Sequence, residues 1–150
     1  LRLLNELFES QGHVHVTVLS TESDNGTASA NLLTIVKTAL NQDNIVPLTD
    51  WIHIDGPDQI HEYEIIANVW YYGGPDPKVI EQTILAAITE YVQIHHALGH
   101  DIEKSAILAN LTGVGIKKVE IPSIPDTILV NYNEVAFCTN ITVNYMGTDE

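Results

Sequence analysis

Basic residues are scarce in this chain: six Lys and Arg stand against twenty Asp and Glu, a formal charge of −14. Phosphate backbones are held by Lys and Arg that release counterions, so this balance argues against nucleic acid as a partner, and an anionic membrane surface is disfavoured for the same reason. The charge itself has two readings, a self-repelling soluble surface or an acidic face that docks on basic proteins. Cysteine is scarcer still. One thiol, Cys138, cannot form an intrachain disulfide or build a multi-cysteine metal site, and it suits a reducing compartment. It stands in an alternating pattern, where a small half-buried thiol without a chemical role is expected. Long apolar runs are missing too: none reaches the roughly 18–20 residues that span a bilayer. Leu1–Leu7 shows no basic n-region or cleavage signal, so no secretory leader is expected. Asn25-Gly26-Thr27, Asn110-Leu111-Thr112 and Asn140-Ile141-Thr142 match a glycan acceptor pattern that, without such a leader, carries no weight.

What is present suffices for a core, with 45% hydrophobic and 17% charged residues over 150 positions. The order of elements predicts an α+β fold: two small α/β modules with helices packed on mixed or antiparallel sheets. Residues 1–11, opening on Leu1 without an initiator methionine, read as the remnant of a preceding domain; 12–58 form the first module and 59–150 the C-terminal one. In 13–19, Val14, Val16 and Val18 alternate with His13, His15 and Thr17, the period of a half-buried strand. Leu32, Leu33, Val36, Ala39 and Leu40 then fall at helical spacing, and a short strand follows over 51–54.

A long strand over 60–72 places Tyr63, Ile65, Ala67, Val69 and Tyr71 on one face and Glu62, Glu64, Asn68 and Trp70 on the other. Asp76-Pro77 then opens a helix to about His95, with an N-cap acceptor before an N1 proline. Its buried stripe is predicted as Val79, Ile80, Ile84, Ile88, Tyr91 and Val92, with Leu98-Gly99 as the stop. Asp101 is expected to cap a third helix to Leu111, with Ile102, Ala106 and Ala109 inward. Strands over 116–121, 127–132 and 135–145 close the chain. In the last, Val135, Phe137, Thr139, Ile141, Val143 and Tyr145 are assigned one face.

Seven histidines invite a metal reading. His96 and His100 have the i,i+4 spacing of a zinc pair, but Gly99 breaks the helix between them and Ala97 stands where a metalloprotease carries Glu. His13 and His15, with His53 and His61 on later strands, form a second conceivable cluster. Surface and capping duties explain both groups more simply. Asp55, Asp58, Asp76, Asp101 and Asp126 sit at turns and caps, and Glu62 and Glu64 lie in a polar segment that offers no general acid or base environment. Gly113-Val114-Gly115 follows a helix and leads into a strand, the reverse of a phosphate cradle, and Ser105 lies in no nucleophile motif. The expectation is therefore no catalytic, cofactor-binding or metal residue, no small-molecule substrate and no enzyme; the alternative is a small metal-dependent hydrolase using a histidine site.

Several segments in order carry a resemblance. Val14-x-Val16-Thr17-Val18-Leu19-Ser20 and Pro47-Leu48-Thr49-Asp50 come first. Tyr91-Val92, His95-His96-x-Leu98-Gly99-x-Asp101, Ser105-Ala106-Ile107 and Gly115-Ile116-x-x-Val119 follow. Ala136-Phe137-Cys138-Thr139-x-Ile141-x-Val143 and Gly147-Thr148-Asp149-Glu150 end the set. Together they resemble the C-terminal part of the baseplate assembly protein J group of Peduovirus-type phages, within the Baseplate J-like family of contractile tails. The resemblance implies a structural component of the baseplate wedge in a phage, prophage or tailocin, acting in assembly through protein–protein contacts. It implies protein I-like and W-like wedge partners, possible self-association, and location in the virion tail baseplate, with the host cytoplasm during assembly. It transfers no catalytic residue. Glu9, Glu62, Glu64, Glu81 and Glu90 are the candidates for an acidic docking face.

Overall fold

The structure is a computed structural model that describes residues 12–41, 50–74, 76–113 and 115–148. The chain divides into two compact units, Leu1–Asp58 and Gln59–Glu150, and the fold is α+β: among the described residues, three helices and small mixed, parallel or antiparallel sheets. Residues 1–11, with Glu9, and Pro47-Leu48-Thr49 lie outside the described residues.

The first unit holds β1 (Gly12–Thr17), α1 (Ala30–Leu40) and β2 (Asp50–Asp55). β1 and β2 pair in parallel from Gly12↔Asp50 to Thr17↔Asp55, an arrangement that requires a crossover, which includes α1. Gly26 makes the turn before the helix: at φ 85° its carbonyl accepts the Ser20 N–H at 2.9 Å. Ser29 then caps α1, its Oγ accepting from the Leu32 N–H at 3.2 Å. Leu32, Leu33, Val36 and Leu40 are half-buried as their spacing predicts, but Ala39 is exposed.

The second unit is built on β3 (Ile60–Tyr71), the central strand. α2 (Pro77–His95), β4 (Ile102–Glu103), α3 (Lys104–Leu111), β5 (Ile116–Glu120), β6 (Thr127–Ile128) and β7 (Val135–Thr148) follow. The sheet order is β5-β3-β7, with β5 antiparallel and β7 parallel to β3, while β4 and β6 form a separate two-residue ladder. The alternation of β3 is realised: Tyr63, Ile65, Ala67 and Val69 are buried, and Glu62 and Glu64 are exposed. α2 starts as predicted. Asp76 Oδ1 accepts from the Lys78 N–H at 3.0 Å and Pro77 takes the first turn. Ile80, Ile84, Ile88 and Tyr91 of α2 join Ile102, Ile107, Leu111, Ile121 and Ile124 in one core. Each isoleucine or leucine fully covered this way is worth about 1.5–3 kcal/mol against exposure.

Four expectations are corrected. Val79 is exposed, because a 19-residue helix turns its first-turn valine past the edge of the isoleucine stripe. Asp101 does not cap α3. Its Oδ1 accepts from the Val130 N–H at 2.7 Å, Ile102 is buried in β4, α3 begins at Lys104 without a side-chain cap, and Ala109 is exposed. The strand over 127–132 shrinks to Thr127–Ile128, because Asn131 turns back to Glu134. Finally, the faces of β7 change phase at Thr139. Tyr63 pairs with Cys138 and Glu64 with Asn140, so one residue is extra, and the core side passes from Ala136 and Cys138 to Ile141, Val143 and Tyr145.

Candidate functional site

The histidines that sequence spacing groups together are separated at the end of α2. His95 Nδ1 bonds the Tyr91 carbonyl at 2.9 Å and its ring stacks on Tyr91 at 3.9 Å, one turn back, as a residue in the last turn of a helix can. His96 instead meets the edge of Phe137 at 5.7 Å, while His100 meets the edge of His95 at 5.9 Å. The i,i+4 pair His96 and His100 thus points to different neighbours. Gly99 explains the divergence: it takes φ 70°, donates to the Glu134 carbonyl at 3.0 Å, and a Cβ there would stand 3.1 Å from Tyr132 Cα.

Strand register brings the other group together. Because His15 lies opposite His53 and His13 opposite Trp51, three imidazoles share one face of the β1–β2 ribbon. His15 stacks on His53 at 4.7 Å, and His13 Nδ1 lies 2.9 Å from His53 Nε2. That contact needs one ring nitrogen to donate and the other to accept. Among the described residues no set of three or more His, Cys, Asp or Glu side chains is arranged to hold a metal ion.

His61, the fourth member of the conceived cluster, belongs to the second unit, where its Nε2 pairs with Glu134 at 2.7 Å. Glu134 also accepts from Asn131 Nδ2 at 3.0 Å and from the Asn131 N–H at 3.1 Å. The Asn131 amide first, and then His61, hold this carboxyl down at about 2. The result is a clamp joining the 131–134 turn to β3. Nearby polar groups likewise serve the fold. Tyr91 Oη accepts from the Glu103 N–H at 3.2 Å, and burial raises its pKa. The Cys138 thiol, raised by burial, donates to the Asn140 carbonyl at 3.4 Å. Sequence reading took Asp101 only as a helix cap and did not single out Glu134, for which the Asn131-x-x-Glu134 spacing was the one local signal.

The concavities offer little chemistry. An apolar groove of about 170 Å³ between α2 and α3 is lined by Val79, Ile80, Thr83, Ile84, Leu111 and Ile116, and a shallower depression of about 390 Å³ is lined by Leu108, Val119, Ile121 and Pro122 with Lys104 and Glu120 as its charged groups, a set without a nucleophile or a histidine. The exposed surface is more informative. Glu62, Glu64, Glu81 and Glu90 are all exposed, and large apolar side chains also face outward, among them Leu129 at 74% and Tyr132 at 80% exposure. No helix among the described residues is long and apolar enough to cross a membrane.

No protein-family model matches the chain. Comparison with curated proteins finds baseplate protein J of Escherichia phage P2, 36% identical over 137 residues. The match takes in 91% of this chain, which spans 45% of that relative's length. Sequence identity of this extent confirms the resemblance: the chain is similar, over nearly all of its own length, to phage baseplate protein J.

Proposed function

We propose that this chain is a structural part of a contractile phage tail baseplate, acting in baseplate assembly through protein–protein contacts and without catalytic chemistry. The observation that carries the reading is the 36% identity to baseplate protein J across 91% of the chain. The geometry supports it: two helices, the longer one capped by Asp76, on a mixed sheet, turns clamped by Glu134 and Asp101, and, among the described residues, exposed acidic and apolar side chains instead of a convergent polar cleft. In finer detail, the chain is the C-terminal part of a wedge protein, with protein I-like and W-like wedge proteins as partners and self-contact between neighbouring copies. Its place is the virion tail baseplate, reached from the host cytoplasm during assembly, in a phage, prophage or tailocin.

The test is co-expression of the protein with its neighbouring tail proteins, followed by size-exclusion chromatography with light scattering. Co-elution in a complex of defined stoichiometry is expected. A protein that runs alone while carrying about one zinc per chain would overturn the assembly reading and bring back the histidine-site hydrolase.

A further inference from the structure

We propose that the outer edge of β7, over Asn140–Tyr145, accepts an added β-strand from a partner protein, a basic strand that carries Lys or Arg toward Glu62 and Glu64. β7 is an outer strand of the β5-β3-β7 sheet, paired on its inner edge with β3. Among the described residues its other edge makes one isolated bridge, Leu98↔Val135, at its very start. Unpaired edges are templates for further pairing, and proteins blunt them with Lys, charge, Pro or bulges. Val135–Thr148 contains no charged residue and no proline, in a chain with twenty acidic and six basic residues. Its register irregularities lie at Thr139 and beyond Tyr145 and leave Asn140–Tyr145 as an uninterrupted ladder against Glu64–Val69. That segment, Asn-Ile-Thr-Val-Asn-Tyr, is rich in β-branched and aromatic residues that suit a strand. Addition of an extended segment to such an edge is a known mode of recognition, with main-chain bonds supplying affinity and side chains supplying specificity.

Charge selects the occupant. Glu62 and Glu64 are exposed on β3, in register with Phe137 and Asn140, so they stand on the solvent face one strand in from the edge. A strand added beside β7 lies roughly 10 Å from β3 at the usual strand spacing, within reach of long basic side chains on that face. A second copy of the chain fits worse. Its own β7, Val135–Thr148, brings no Lys or Arg to meet Glu62 and Glu64. That the donor is another baseplate component rests on the function proposed above; the chemistry of the edge does not.

The experiment titrates the protein with two synthetic peptides of alternating Val and Thr, one flanked by Lys and one by Glu, and reads amide hydrogen exchange. Outward-facing amides within 140–145 are expected to slow about tenfold or more with the Lys-flanked peptide and little with the other. The double variant Glu62→Lys, Glu64→Lys reverses the preference, and Thr142→Lys abolishes slowing while the amides of Ile65 and Ile88 exchange as in the parent. No slowing at 140–145 with either peptide overturns the proposal. Equal slowing with both overturns the charge of the partner, and concentration-dependent slowing without peptide assigns the edge to a second copy. Co-elution with tail proteins while these amides keep their free exchange rates removes this surface and leaves the baseplate reading standing.

Discussion

In the second unit, Ile65, Ala67 and Val69 of β3 have no exposed surface, whereas in the first unit Val14 on β1 is 42% exposed and Ile35 on α1 56%. Both units follow a strand with a helix and another strand, and both carry the expected alternation. Among the described residues, however, no apolar side chain of the first unit is buried. The difference is one of layers. A single 11-residue helix beside a two-stranded ribbon leaves most of its apolar surface at the margin, while the second unit sets two helices and the 121–130 segment against a three-stranded sheet. Pattern assigns a side chain to a face. Burial depends on how much of the molecule lies across from that face.

Cutting the chain between Asp58 and Gln59 probes this contrast most severely. Residues 59–150 alone are expected to unfold cooperatively in urea, and 12–58 alone to give no cooperative transition by circular dichroism. Within the intact chain, Ile88→Ala is expected to cost about 2–5 kcal/mol, because its side chain is fully buried. Ile35→Ala, at an exposed site, should stay within about 0.5 kcal/mol. Equal costs from denaturation midpoints would erase the distinction between the units. Asp76→Ala should lose about 1 kcal/mol by removing the cap of the helix that carries the core.

The smallest effect expected is one of pH. The Glu134 carboxyl is depressed to about 2, against about 4.3 for a free glutamate. A depressed pKa adds stability that is present above the unfolded value and is lost as pH falls through the folded one. Urea midpoints of the parent and of Glu134→Gln should therefore differ at pH 5 and converge toward pH 2. A gap that stays constant across that window would show that the clamp at His61 and Asn131 does not depend on the charge.

The short-range features were legible. The β3 alternation, the Asp76-Pro77 start of α2 and its isoleucine stripe depend on periodicity and on the unpaired N–H groups of a first turn, which act within a few residues. Long-range features were not. Gly99 already marks the break between His96 and His100 in the sequence, but the neighbours they take, Phe137 and His95, are set by the fold. The sequence treats Asp101 as a cap, but the Val130 N–H claims its carboxylate from 29 positions away.

By itself, then, the sequence determined an acidic α+β chain, the places where its main elements begin, and the resemblance to phage baseplate protein J that similarity to the phage P2 protein confirms. Tertiary structure alone decided the bulge at Thr139 that inverts the faces of β7, the division of the histidines between clusters, and the position of β7 at the edge of its sheet. The reason is physical: helical period and capping are set by neighbours along the chain, whereas register and edge position depend on which strand pairs with which.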